Sequence, residues 1–276
     1  MTRWDTTLAV ARLELQDAAR NKWLWAMTVG FGLLATALTL VGVDGARTVG
    51  AGGFGRTASS LVALSQMMVP LLGLTLGASA IGNARENGSM RFLLTHPVRR
   101  SDILVGIGLG LVGACWAAML TGFGVAALVS SATGTPVPAG VVLALTALSA
   151  LLATAMATIG VAIGASTRRG STALGVAVFA WLLLVFVGDL GIMGSALAVR
   201  LPVGALFFSV VANPVEAYRL LAVPLFAGSL DVLGPAGTYA IDTLGGATAP
   251  LGIAVLALWI WVPARLALRR FERTDF

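Results

Sequence analysis

Long apolar runs alternate with short polar stretches along this chain, and their lengths predict helices. A bilayer core of about 30 Å takes about 20 helical residues. Six runs reach that length: Leu24 to Val43, Ser60 to Ile81, Ile103 to Val129, Ala139 to Ala165, Thr172 to Met193 and Leu251 to Ala267. The pattern predicts one all-α, polytopic membrane domain over residues 1–276 with six transmembrane helices. Two further features stand outside the spans. In residues 1–22, Trp4, Leu8, Ala11, Leu15 and Ala18 recur at spacings of four and three, so they share one helical face. This predicts an interfacial helix along the membrane surface, with Trp4, Trp23 and Trp25 at headgroup level.

The other feature is the outer region, 194–250. Val199 to Val211 and Val215 to Phe226 are apolar but too short to cross, and Pro202, Pro214 and Pro224 interrupt them. Segments of that length are expected to be interfacial or re-entrant helices. Within them Asn213 to Leu221 reads as a helix start. Asn213 suits the N-cap, Pro214 the first position, and Glu216 the positive end of the helix dipole. The remainder, Gly228 to Pro250, is a polar outer cap, read either as a docking surface or as an ordinary loop.

Composition strengthens the membrane reading. Residues are 58% hydrophobic and only 11% charged, whereas soluble domains run near about 25% charged. The first twenty residues lack a continuous apolar core, so no cleavable signal peptide is expected. Of the 18 basic residues, 14 fall at the termini or in the loops after spans two and four. Arg47, Arg56, Arg200 and Arg219 make up the rest. That bias places both termini in the cytoplasm of a cell (inner) membrane protein. It also accounts for the net charge of +6 through anionic membrane lipids, without nucleic acid. Gly73 with Gly77, Gly106 with Gly110, and Gly160 with Gly164 are small-residue pairs that allow close helix packing, within the chain or across a dimer.

Candidate chemistry is sparse. The single Cys115 and single His96 give no disulfide and no Cys/His zinc site within one chain. His96 sits before Pro97 in a charged stretch, as a surface histidine does. Asp189 reads as an interfacial acid, and Met67 and Met68 as core methionines. The only lysine, Lys22, precedes Trp23, so no Walker A loop is present. No cofactor is expected in this chain.

What remains is the polar island Asn83 to Asp102. A short helix from Glu86 to Thr95, after a turn at Asn87 and Gly88, places Met90, Leu93 and Leu94 on one face, with Arg91 pointing away. Pro97 ends it, and Arg99 and Arg100 mark the headgroup boundary. Such a helix needs a partner to bury its apolar face.

The island resembles the loop between spans two and three of ABC-2-type transporter permeases, through Glu86, Gly88, Leu93, Leu94, Thr95, Pro97, Val98, Arg100, Ile103, Leu104 and Gly106. Ser89 and Met90 stand where Thr-Leu is common, and Ile107 where Lys is common. The N-terminal ARLELQDAARNKW and the basic tail ALRRFERTDF are similar to the same family. Within it, Asn213 to Leu221 is similar to a stretch of NosY-type permeases, which act in maturation of nitrous oxide reductase.

The resemblance implies a transmembrane subunit that hydrolyses no ATP itself. Two copies of a cytoplasmic ATPase would carry ATP and Mg. A second copy of the chain would complete a homodimer, and an extracytoplasmic β-helical, NosD-like protein is a further implied partner. Glu86, Asn87, Gly88, Ser89, Met90, Arg91, Leu93 and Leu94 would couple to the ATPase, with a secondary contact through Arg12, Glu14 and Asp17. The NosY-like cargo would be copper or sulfur. A generic exporter of drug, lipid or polysaccharide, and a non-transporting membrane scaffold, remain alternatives.

Overall fold

In the computed structural model, residues 3–49, 52–86, 88, 98–133, 138–197, 211–227 and 245–273 are described. Among them the regular elements are helices and none is a strand. In chain order they are α1 (Arg3–Arg20), α2 (Lys22–Val49), α3 (Gly52–Glu86), α4 (Arg100–Ala132), α5 (Ala139–Ser166) and α6 (Gly170–Leu197). Then follow α7 (Pro214–Ala222), the short α8 (Pro224–Ala227) and α9 (Thr248–Glu272). Five stretches are long and apolar enough to cross a bilayer: Lys22–Val41, Ser59–Glu86, Arg100–Ala132, Ala139–Ser166 and Gly245–Glu272. The fifth expected span coincides with α6, a 28-residue helix whose side chains are described as far as Phe186. The polytopic all-α architecture is as expected; five helices meet the spanning lengths among the described residues.

The bundle is organised around α3 and α5, the most extensively packed pair. They run side by side in the same direction. A methyl group on Gly73 would lie 2.8 Å from the Ala153 carbonyl oxygen, and one on Gly164 would lie 2.8 Å from that of Ala78. Between these points Gly77 faces Ala157 and Gly160. With no Cβ in the way, backbone approaches backbone, the arrangement that small residues permit in lipid. The glycine pairs of α3 and α5 therefore serve one seam within the chain.

α2 packs on α4 through Phe31, which lies over Gly122 and meets Phe123 edge to face at 4.9 Å. Hydroxyls inside the spans return to their own helices: Thr39 donates to the Ala35 carbonyl, Ser65 to Leu61 and Thr146 to Val142, which removes their penalty in an apolar setting. Two spans contain proline, Pro70 in α3 and Pro263 in α9. Each deprives the carbonyl four residues earlier of its helical donor. For Pro263 that is Trp259, and Thr158 of α5 donates to it at 3.4 Å. Neighbouring hydroxyls satisfy freed carbonyls in this way inside membranes.

α1 is helical as its periodicity predicts, and it packs on α4 through a face beside the Trp-Leu one. It runs alongside α4, with Thr7 and Val10 against Gly106, Ala11 and Glu14 against Gly110, and Leu15 near Gly113. Thr7, Val10 and Ala18 are buried, whereas Trp4 is 72% exposed and Leu8 and Leu15 are also exposed. The reason is geometric: glycines on α4 accept a narrow, small-residue ridge more closely than a row of large side chains. The Trp-Leu face is left outward, available to lipid. Gly106 and Gly110 thus receive α1 rather than a second span.

Candidate coupling site

Two groups of polar side chains tie distant elements together through α3, one at its C-terminal end and one around Gln66, 20 residues earlier and well inside the helix. At the end rich in arginine, called here the basic end, Arg85 donates through Nη1 to the Thr167 carbonyl and through Nη2 to the Ala165 carbonyl at 3.2 Å. These are last-turn and cap carbonyls of α5, which helix geometry leaves without partners of their own. Next to it, Glu86 accepts the backbone N–H of Gly170 at 2.8 Å through Oε1. Gly170 is the first residue of α6, so the carboxylate caps a helix N-terminus, where a negative charge is favoured. The base of the polar island is therefore clamped to the loop joining α5 to α6. Across the same end, Arg100 donates to the Glu272 carbonyl at 3.0 Å and joins the start of α4 to the end of α9.

The expected coupling residues divide accordingly. Glu86 is the last residue of α3 rather than the first of a separate helix, and its side chain is engaged within the chain. Gly88 has φ +72°, open space around it, and an N–H donated to the Arg85 carbonyl at 3.2 Å. This left-handed position after a helix end is where glycine is preferred, and it confirms the turn. Asn87, Ser89, Met90, Arg91, Leu93 and Leu94 lie outside the described residues, as do His96 and Pro97. Of the secondary set, Arg12 and Asp17 are exposed on α1, while Glu14 is turned inward over Gly110. Burial there, with Asp17 adding a smaller repulsion, raises the Glu14 carboxyl from 4.5 to about 7. Met67 is half exposed rather than a core methionine. The Asp189 side chain lies outside the description.

The second group surrounds α7. Asn213 caps it as its sequence predicts, accepting the Val215 N–H at 3.0 Å, and its amide also donates to the Leu184 carbonyl of α6 at 2.6 Å. Trp259 donates its indole N–H to the Ala212 carbonyl at 2.8 Å. Trp259 lies well inside α9, about 16 Å from its start at 1.5 Å per residue. Leu221, by contrast, packs on Gly252 near that start. From Ala212, level with the interior of α9, the chain therefore runs through α7 toward the start of α9, which fits the re-entrant one of the two courses expected.

Sequence reasoning missed how α7 is held. Glu216 is only 2% exposed. Gln66 of α3 donates to its Oε1 at 3.0 Å, and Arg219 lies 3.8 Å from its Oε2. Two residues on, the buried Tyr218 hydroxyl pairs with Ser149 of α5 at 3.1 Å. A carboxyl group so deep in an apolar chain is costly unless hydrogen-bonded or paired. The only signal in the sequence was an acid and an amide in otherwise apolar helices.

Together these features describe a helical, multi-pass membrane protein whose polar ties meet one continuous helix at its C-terminal end and again at Gln66, 20 residues earlier. The family described as ABC-2 family transporter protein matches residues 8–276, and the chain belongs to that family. It is similar to the probable ABC transporter permease protein NosY of Stutzerimonas stutzeri, 32% identical over 276 residues, covering 96% of this chain and 97% of that one. It is 31% identical to the corresponding protein of Pseudomonas aeruginosa over 271 residues, covering 94% of each. The chain is thus a NosY-like transmembrane subunit of an ABC transporter, and such a permease implies a partner ATPase.

Proposed function

We propose that this permease is driven by two copies of a separate cytoplasmic ATPase that bind the island Asn83 to Asp102. Two permease chains pair, with six spans each and both termini on the cytoplasmic side. ATP and Mg reside on the ATPase, and this chain carries out no covalent chemistry. Met90, Leu93 and Leu94 fill a groove on the ATPase, and Arg12 and Asp17 on the outer side of α1 supply the secondary contact. The movement serves a NosY-like task, delivery of copper or sulfur for nitrous oxide reductase with a β-helical, NosD-like protein outside.

The observation that carries this reading is the clamp of Arg85 and Glu86 on Thr167 and Gly170. It makes the base of the island continuous with α3, α5 and α6, so displacement of the island is transmitted as a shift of packed helices rather than absorbed by a loose loop. The test is purification of the tagged chain from its native membrane in mild detergent, with mass spectrometry of its companions. An ATPase together with a β-helical protein is the expected result. An ATPase alone points to a generic ABC-2 exporter, and absence of any ATPase overturns the reading.

A further inference from the structure

The two polar groups on α3 stand 20 residues apart, from Gln66 to Glu86, which is about 30 Å of helix and the thickness of a bilayer core. Between them the glycine seam fastens α3 to α5 over Gly73, Gly77, Gly160 and Gly164. At the basic end the pair is closed by Arg85. Twenty residues earlier α7 bonds to both members of the same pair, Glu216 to Gln66 of α3 and Tyr218 to Ser149 of α5, with Ser65 of α3 a second partner of the Tyr218 hydroxyl. Pro70 sits four residues after Gln66, so the helix there lacks one backbone hydrogen bond and is free to bend at that turn. Tyr218 holds α7 to α5, and a bend at Pro70 would carry the limb of α3 that bears Gln66 away from α7 unless something joined the two. The Gln66–Glu216 bond is placed to do so. A structural role alone does not require a carboxylate here, since apolar packing is often as stabilising as a buried polar pair.

We infer that Gln66 and Glu216 form a latch that fixes the re-entrant helix α7 to the α3–α5 pair, so that displacement at the basic end of α3 moves α7. These are positioning residues, not a binding site. The inference rests on the proposed ATPase-driven role. It predicts that ATP acting at the basic end changes the behaviour of α7 only while the latch is intact.

The test is hydrogen–deuterium exchange on the permease–ATPase complex in nanodiscs, with and without ATP. Two segments are followed, the Arg85–Gly88 turn and the amides of Val215–Ala222. In the unaltered complex ATP changes exchange at both. In Glu216→Leu the change at the turn persists while that in α7 falls at least five-fold; Glu216→Gln, which keeps a hydrogen-bonding side chain, retains most of it. A wild-type-sized α7 response in Glu216→Leu, or no α7 response in the unaltered complex, overturns the latch and leaves the proposed role standing. No response at the turn overturns both. If Glu216→Leu yields no folded complex, Gln66→Leu, which removes the donor and leaves Glu216 beside Arg219, is read by the same outcomes.

Discussion

Two of the helix pairs that meet through glycines, α3–α5 and α1–α4, are joined differently. Between α3 and α5 both partners contribute glycines, and backbone meets backbone over about two and a half turns of each helix, from Gly73 to Ile81. Between α1 and α4 only α4 contributes them, and Gly106 and Gly110 receive the side chains of Val10 and Glu14. The same sequence pattern thus makes a permanent seam in one place. In the other it makes a socket whose contents include a titratable carboxyl. Close approach alone does not decide which; the partner's side chains do.

The largest effect should come from the seam. Replacing Gly77 by Ile drives a branched side chain into the Ala157 carbonyl and the Gly160 backbone, neither of which can move without separating the helices. Overpacking against backbone belongs to the severe class of substitutions, and a loss of more than about 4 kcal/mol is expected. The measurable result is failure to recover a monodisperse protein from membranes. Gly175→Ile is the control, because Gly175 on α6 has open space around it and should behave as the parent. Recovery of both variants equally would show that the seam is not the core of the bundle.

The socket should be weaker. Gly110→Leu meets the Ala11 carbonyl oxygen, 2.6 Å from the first added carbon, and the Glu14 stem. α1 can be displaced into solvent or headgroups without opening the spans. The expected outcome is a folded bundle with α1 released, seen as faster proteolysis between Arg12 and Arg20, at a stability loss of about 2 kcal/mol. A variant whose spans also unfold would make α1 part of the core, and the contrast between seam and socket would disappear.

Much of this contrast was beyond the reach of sequence patterns, for a physical reason. In water an apolar stripe marks the buried face, but in lipid apolar residues serve both surfaces. Leu74 is 0% exposed and Leu33 is 66% exposed, yet both sit in uniformly apolar runs. The helical apolar spans, the turn at Gly88 and the cap at Asn213 were legible, because each depends on residues within a few positions. The glycine pairs were legible as packing sites, but not their partners. Arg85 meets Thr167 and Gln66 meets Glu216 across separations that no local periodicity encodes. For α1 the periodicity marked the Trp-Leu face, which is outward, but not the face that packs on α4.

The carboxyl in the socket gives a pH test of the same comparison. Glu14 ionises near 4.5 when α1 is undocked and near about 7 when docked. The docked state holds its proton more tightly, so docking is at full strength below pH 4.5 and weakens as pH rises through about 7. Glu14→Gln removes the ionisation. It should match the parent at acidic pH and dock more firmly above pH 7, by about 1–2 kcal/mol after allowance for partial exposure. Proteolysis of α1 between pH 5 and 8 measures this. A parent profile that stays flat would mean that the carboxylate reaches water in the docked helix.

α7 combines a socket with polar anchors: Leu221 sits on Gly252 of α9, and the start of α7 is tied by Trp259 at the Ala212 carbonyl and by Asn213, which both caps the helix and donates to the Leu184 carbonyl of α6. Asn213→Ala removes the cap, at about 1 kcal/mol, and leaves the Leu184 carbonyl without that donor, at about 1 kcal/mol more. The spans themselves lose nothing by it, so the melting temperature of the bundle should fall by only a few degrees. Exchange of the first amides of α7, starting with Val215, should rise by roughly ten-fold or more, since about 1.4 kcal/mol is a factor of ten. A glycine seam tolerates no such partial change, because its contact is either made or blocked. A polar anchor weakens by degrees. If Asn213→Ala instead unfolded the bundle as Gly77→Ile should, α7 would belong with the seam, and the re-entrant helix would be a structural wedge rather than an adjustable element.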